Sequence, residues 1–595
     1  MKLQPKSSII SSVHNSFLKP SLASVKLSPL KQHMVKPVLS IIYAIVSQYR
    51  ASFIRKTCKV EQVQAAFLRS LLQAHQHTEF GRKHGFSDIK TIAQFRSRIP
   101  VQPYSAFAPY TERIANGETN ILTPDPIIYI NISSGSTGTK KLIPVTQRSR
   151  QFLSKASRAA MGFSVAAARR EQLPLGKMLF TLSVNPLGYT KSGVAYAPVS
   201  TSDLRLMDVA SRQLFAHPFE AFRISDTATR FYLCLLFALR DRQLRLISAT
   251  FPVAALQLCQ HLEKNAESLI HDLETGEITS QLKLEPDLRV KLERQWSADP
   301  QRAAELRHQL KTHGRLTPKQ AWTELSFLIT ARGGTSEFYF DRFPDYFGKI
   351  PVFGGIYACA EGVIGVHRDF NTDGAVLAIE SGFFEFIPED QWEVEYPQTL
   401  LPWEVKQGEC YRIVMSNYSG FYRYDLGDVV EIEGFLGQTP LIVFRYRRGG
   451  VMSASTEKTT EAHAIHAMQK LQQRFNISLE NFCITLSEDE IPPHYLVNIE
   501  LATGDILSEP ELFLQQFDVT MKEVNAFYDI KRRDQIPLPR LRFLQPGSFS
   551  TLRQRMIDRG IAEAQLKFPH VTEDRQWLAG LIIEREVRLA GDRVK

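Results

Sequence analysis

Two kinds of apolar pattern alternate along this chain, and their distribution is uneven. From Gln62 to Gln76, Val63, Phe67 and Leu71 recur at helical spacing, and helical patterns dominate residues 150 to 330, interrupted by charged stretches such as Asp287 to Arg307. Between residues 350 and 445 short strand-like runs take over, among them Ile350 to Ile356 and the alternating Val429 to Ile432. A strand pair is predicted around Phe482 to Leu501. It is followed by an amphipathic helix whose apolar residues Leu514, Phe517, Met521, Val524 and Tyr528 form one core-facing stripe. The run from Val38 to Tyr49 is apolar but about half the length needed to span a bilayer, so it predicts a helix packed on the body and no transmembrane segment. A chain of 595 residues exceeds one ordinary core, and two or three domains are expected.

Charge adds a boundary to this picture. Residues 1 to 60 hold ten lysines and arginines and no acidic residue before Glu61, which leaves 62 basic and 62 acidic residues in the rest of the chain. The body is therefore neutral, and the formal net charge of +10 gives no support to a nucleic-acid-binding surface. The basic, serine-rich leader reads as a packed or disordered extension, ahead of an organelle signal, with peripheral membrane contact by this arm left open. Whether translation starts at Met1 or Met34 is also left open. Six cysteines, at 58, 234, 259, 359, 410 and 483, stand singly without CxxC pairs, which argues against a disulfide framework or a zinc site and for a reducing, cytoplasmic location.

Candidate chemistry begins at Ser133-Ser134-Gly135-Ser136-Thr137-Gly138-Thr139-Lys140-Lys141, directly after the apolar stretch Ile127 to Ile132. Gly135 and Gly138 let backbone N–H groups converge on an anion, Ser133, Ser134, Ser136 and Thr137 add short donors, and Lys141 adds a charge; this is a phosphate-gripping composition. The spacing does not fit the P-loop GxxxxGK[ST], which disfavours a P-loop kinase or ATPase. The second motif, Tyr357-Ala358-Cys359-Ala360-Glu361, leaves one carboxylate at a strand exit, where Glu361 suits a magnesium ion shared with phosphate oxygens. In the third, Gly420 to Asp428, a carboxylate beside a glycine can accept two hydrogen bonds from a ribose diol, making Asp428 the ribose ligand. Each motif alone also fits a solvated loop or cap. Their order along the chain carries the weight.

That order resembles the adenylate-forming enzymes, and more narrowly the Gretchen Hagen (auxin-responsive) acyl-acid amido synthetases. The narrower likeness rests on TEFGRKHGF at 78 to 86, SSGSTGTKKLIP at 133 to 144, FFEFIP at 383 to 388, FYRYDLGDVVEIEGF at 421 to 435, STEKTTE at 455 to 461, QPGSF at 545 to 549 and a terminal QLKFP containing Lys567. The resemblance implies an α/β fold with a large adenylate-forming N-terminal domain, of mixed sheets, helices and a small β-barrel-like part, and a small C-terminal α/β lid. Its expected divisions are an N-terminal extension over 1–60, an ATP- and acyl-acid-binding domain over 61–450 and a lid over 451–595. It implies two steps: a carboxylic acid attacks the α-phosphate of ATP, giving an acyl-adenylate and pyrophosphate, and an amino acid's amine then displaces AMP. Ser133 to Thr137 with Gly138 and Lys141 would hold the phosphates, Tyr357 would lie against adenine and Glu361 would ligate magnesium. Asp428 and Arg447 would reach the ribose, and Lys567 would neutralise charge at the α-phosphate.

Two departures from the family pattern stand out. Ala360 replaces the usual Ser or Thr before the glutamate, and Lys140 replaces a proline common in wider adenylating enzymes. The mechanism needs no histidine, so His77, His84, His367 and His570 are read as structural or solvated, and Cys359 as a small buried side chain. The expected partners are a small-molecule carboxylic acid and an amino acid, and the chain is expected to be a monomer. A thiol acceptor such as coenzyme A, or a non-catalytic binding relative, are the other readings.

Overall fold

The computed structural model describes residues 30–134, 140–207, 211–447, 451–454, 457, 459–488, 490, 493–533, 535–558 and 566–591. The phosphate-loop residues Gly135, Ser136, Thr137 and Gly138 lie outside the described residues. Ser133 and Ser134 end the strand Ile127–Ser134, where their backbones pair with Lys141 and Lys140.

Three sheets build the body. The strand Ile127–Ser134 is central to a four-stranded sheet, antiparallel to Lys140–Thr146 and parallel to Ala195–Ala197. A second four-stranded sheet is wholly parallel, in the order Lys177–Leu179, Leu244–Ser248, Phe327–Ile329, Val352–Phe353. Its strands are joined through helices such as Thr227–Arg240 and Pro252–Lys264, which cover the sheet as parallel pairing requires. The third has seven antiparallel strands, from Phe383–Pro388 at one edge through Cys410–Ser416, Tyr424–Leu436, Thr439–Arg447, Ala375–Leu377 and Val363–His367 to Ile356–Ala358. The helical stretch from 150 to 330 and the strand-rich stretch from 350 to 445 both appear as their periodicities indicate.

The apolar run Val38 to Tyr49 lies inside a helix, Leu30–Thr57, that packs along the helix Gln147–Arg170 through Phe53, whose ring meets Phe163 edge-on at 6.1 Å. Among the described residues no helix is long and apolar enough to cross a membrane.

The C-terminal part is a mixed four-stranded sheet, Leu479–Leu486, Tyr495–Leu501, Arg540–Leu544 and Ile583–Arg588, with the helices Glu461–Phe475 and Pro510–Val524 packed together beside it. One expectation needs correction. The stripe from Leu514 to Tyr528 does not belong to a single helix, because Asn525 breaks it with extended backbone and its side-chain oxygen caps a new helix, Ala526–Arg532, by accepting from the Phe527 and Tyr528 N–H groups. Leu514, Phe517, Met521 and Tyr528 are still fully buried, so the stripe identified the core correctly across the break.

A single apolar cluster runs from the body into this lid, joining Phe338 and Tyr339 to Phe482 and Met468. An ion pair between Arg342 and Glu480, at 3.2 Å, lies on the same seam.

Candidate active site

The strand Val352–Phe353 closes the parallel sheet, and three residues later Ile356–Ala358 has joined the seven-stranded one. Gly354 permits the crossing: a Cβ there would come within 2.4 Å of the His367 ring. Ile356–Ala358 then turns back on Val363–His367 through Cys359 to Gly362, closed by N–H to C=O bonds of 2.9 and 3.3 Å in the two directions. Glu361 sits in this turn, 6% exposed. The turn is held from outside: the Asn131 amide donates to the Ala360 carbonyl (3.0 Å), the Asn417 amide to the Glu361 carbonyl (3.0 Å), and Ser202 Oγ orients Asn131 by donating to its Oδ1 (2.6 Å). Glu361 Oε1 accepts from the Tyr424 hydroxyl at 2.8 Å, and that hydroxyl accepts from Lys141 Nζ at 3.0 Å. Burial and the neighbouring carboxylate push the Tyr424 pKa upward, so it stays a neutral donor.

Asp428 comes from the long hairpin Tyr424–Leu436 and Thr439–Arg447, where it lies directly opposite Arg447. Before it, the strand bulges. Gly427 has φ +76°, its N–H donates to Asp425 Oδ1 at 2.9 Å, and the pairing with Cys410–Ser416 slips by two residues. Asp428 is 2% exposed, with Oδ2 accepting from Tyr357 OH (2.8 Å) and Oδ1 from Arg447 Nε (2.5 Å). A carboxylate has about four acceptor positions, so two remain for a diol. Asp428 and burial raise the Tyr357 pKa, and Asp428 raises that of Arg447, so neither loses its proton at physiological pH.

The loop preceding this strand is pinned by Arg423, which takes φ +46°, a region that costs a side-chain-bearing residue about 1–2 kcal/mol. Its guanidinium donates to Glu385 (3.0 Å to Oε2), to Thr399 Oγ1 (2.9 Å) and to the carbonyls of Arg96 and Ile99 (2.8 and 2.7 Å). Glu385, Thr399 and Ile99 are buried and Arg96 is partly exposed, and the network over-determines the conformation.

Lys567 arrives from the lid. Its ammonium lies 4.6 Å above the Phe251 ring, at the start of the helix Pro252–Lys264. The surrounding protein and then the Arg447 charge push its pKa down, opposed by Asp428 and Glu461, but the Lys567 side chain is exposed and solvent weakens all of these effects. Its loop is anchored by the His570 N–H donating to Glu461 Oε1 (2.9 Å) and by the His570 ring, stacked on Phe482 at 4.3 Å and against Phe338 of the body at 5.1 Å. The lid thus brings Lys567 to the Asp428 and Arg447 side of the body. His367 and His570 are buried, whereas His84 is partly accessible. All six cysteines are free, and burial raises the Cys359 pKa well above the usual thiol value, consistent with an inert side chain.

Sequence reasoning missed Asn131, Asn417 and Ser202. Asn131 had a signal, an amide inside an apolar strand run; Asn417 and Ser202 had none. Tyr424 stood in a matched string without a role.

Among the described residues no cluster of three or more metal-ligating side chains occurs. A single buried carboxylate nonetheless fits magnesium, which takes one or two carboxylates and completes its sphere with phosphate and water oxygens.

A parallel α/β core, an antiparallel sheet carrying a carboxylate turn, and a lysine-bearing lid together make the adenylate-forming fold. Within that class the chain belongs to the GH3 family: the GH3 family N-terminal domain matches residues 50–352, the central domain 375–447 and the C-terminal domain 462–576. It is similar to jasmonoyl--L-amino acid synthetase JAR4 of Nicotiana attenuata, 26% identical over 537 residues, covering 85% of this chain and 90% of that protein. Indole-3-acetic acid-amido synthetase GH3.8 of Oryza sativa subsp. indica is 27% identical over 547 residues, covering 86% and 88%. The solved structure of AtGH3.15 acyl acid amido synthetase in complex with 2,4-DB superposes with a TM-score of 0.78 at 23% identity, over 95% of this chain and 98% of that one.

Proposed function

We propose that this protein is an ATP-dependent acyl-acid amido synthetase: it adenylates a small carboxylic acid, releasing pyrophosphate, and transfers the acyl group to an amino acid's amine, releasing AMP. The observation that carries this reading is the buried Asp428 carboxylate, bonded to Tyr357 and Arg447 with acceptor positions to spare, while Lys567 of the lid is seated on the body at Phe251. In this reading the body is 61–450 and the lid 451–595. Asp428 uses its spare acceptor positions on the ribose hydroxyls, Tyr357 flanks the base, and Ser133, Ser134, Gly135, Ser136, Thr137 and Gly138 cradle the phosphates.

An acid carboxylate is already a nucleophile. One of its oxygens bonds to the α-phosphorus as the bond to the pyrophosphate oxygen breaks, and Lys567 neutralises the charge that gathers there. Magnesium held at Glu361 would share phosphate oxygens and supply further neutralisation. In the second step the neutral amine attacks the acyl carbon, AMP leaves, and the nitrogen gives up a proton to solvent. The relatives' names favour an amine over a thiol as acceptor.

The test is acid-dependent exchange of pyrophosphate into ATP across a panel of carboxylic acids, followed by amino acids or coenzyme A. AMP accumulation on adding an amino acid is expected. Formation of only ADP and phosphate would refute adenylation.

A further inference from the structure

We infer that Lys141 and Tyr424 act as a positioning pair that fixes the metal-binding carboxylate of Glu361, an inference that rests on the nucleotide reading above. Lys141 leaves the strand Lys140–Thr146 with its ammonium between two rings, 5.6 Å from the centre of Tyr104 and 5.7 Å from that of Tyr424, and 3.0 Å from the Tyr424 oxygen. Both rings are themselves held. The Tyr104 hydroxyl accepts the Leu142 N–H at 2.6 Å, and Tyr424 is fully buried against Phe421, ring centres 5.0 Å apart.

The direction of the chain follows from donor counting. An ammonium can only donate, so the tyrosine oxygen is the acceptor of that bond, and its one proton goes to Glu361 Oε1, 2.8 Å away. The nearby cation also polarises the O–H and strengthens the bond. Meanwhile the Glu361 backbone is clamped by the turn and by Asn417. With Oε1 tied by Tyr424 and the Cys359 thiol also within reach of the carboxylate, the group cannot rotate freely, and Oε2 is the oxygen it can present to a cation. That single-oxygen presentation suits magnesium, whose coordination is rigid, better than calcium, which accepts bidentate carboxylates. Lys141 therefore serves the phosphates through Glu361 and its metal.

Calorimetry of ATP binding, once with magnesium and once with chelator, separates this role from a direct phosphate contact. Tyr424→Phe should weaken magnesium-ATP binding by about tenfold or more, the loss expected for a hydrogen bond to a charged group. Binding of metal-free ATP should stay within about twofold of wild type on the same grounds, since the removed bond acts only on the metal ligand. Lys141→Met, which leaves the hydroxyl but frees its proton to swing, should give a smaller loss of the same metal-dependent kind, and both variants should bind calcium-ATP relatively better. Should Tyr424→Phe fail to fold, Lys141→Met carries the same comparison from a partly exposed position. Equal weakening with and without metal would overturn the proposal in favour of direct phosphate contact. Failure of wild type to bind ATP under either condition would instead overturn the nucleotide reading, and the positioning role with it.

Discussion

Acidification to pH 5.5 should destabilise the protein through four buried histidines, one of them in the seam that holds Lys567. His75 Nδ1 lies 2.6 Å from Tyr422 OH, which gives its own proton to the Leu122 carbonyl (2.7 Å), so Nδ1 is the donor and Nε2 carries a lone pair. His570 Nδ1 donates to the Phe482 carbonyl at 3.0 Å. The second nitrogens, Nε2 of His75 and His570, face no partner, nor does Nδ1 of His367. A second proton would place a buried N–H against apolar surroundings. Burial accordingly pushes the pKa down to about 3 for His75, helped by the Arg148 charge, and to about 4 for His367 and His570. With folded values below the unfolded value of about 6.5, the unfolded chain takes up protons first, so stability is full above pH 6.5 and falls as pH drops toward 4. At pH 5.5 each histidine contributes a loss of about 1.4 kcal/mol, and His217, buried and likewise held at about 4, brings the sum to about 5–6.

Carboxyls raised by burial act in the opposite sense, Glu263, Asp341, Glu461 and Glu500 among them. The Glu337 carboxyl, half-buried and hydrogen-bonded to Asp373, is raised to about 7; its contribution is present at low pH and lost as pH rises through 7, so acidification returns about 2 kcal/mol. Glu337 by itself therefore offsets less than half of the histidine loss between pH 7.5 and 5.5. Denaturant unfolding at the two pH values, read by hydrogen exchange within the segments around 338 and 482 because a chain of this size need not unfold in one step, measures it. His570→Gln should shrink the pH dependence at the seam by about 1.4 kcal/mol. An undiminished pH dependence in that variant would refute the assignment.

Lys567→Ala should slow pyrophosphate release by about 10²–10³, the usual worth of one charge at a developing anion, while amide formation from supplied acyl-adenylate stays near wild type; single-turnover assays of each half decide, and equal slowing of both rules the assignment out. The alkaline limb of the adenylation pH profile should lie below an ordinary lysine's and move upward in Arg447→Met, because that neighbouring cation lowers the Lys567 pKa. If Asp428 binds the ribose as proposed, Asp428→Ala removes two charge-assisted bonds, each worth about 1.5–3 kcal/mol, and should chiefly weaken ATP binding; calorimetry returning wild-type affinity would take Asp428 out of the ribose role.

Local patterns were enough to place the elements and the motifs. Helical spacing at Val63, Phe67 and Leu71 marks the helix Val60–His75, and the alternation at Val429 to Ile432 lies within the strand Tyr424–Leu436. Such periodicity is visible because a helix or strand buries one face whatever its partner. The break at Asn525 was harder to see, since the apolar stripe continues across it and the extended cap conformation leaves no mark on spacing. Which side chains meet was decided by the tertiary structure alone. Asn131 reaches the Ala360 carbonyl across 229 residues, Lys141 reaches Tyr424 across 283, and Lys567 reaches Phe251 of the body through the lid's seat on Phe338 and Arg342. Sequence by itself determined the kinds of groups and the family's order of motifs. The direction of each hydrogen bond at Glu361, and the shared surroundings of Lys567, Arg447 and Asp428, came from sheet register and domain packing, where contact depends on distance in space and not along the chain.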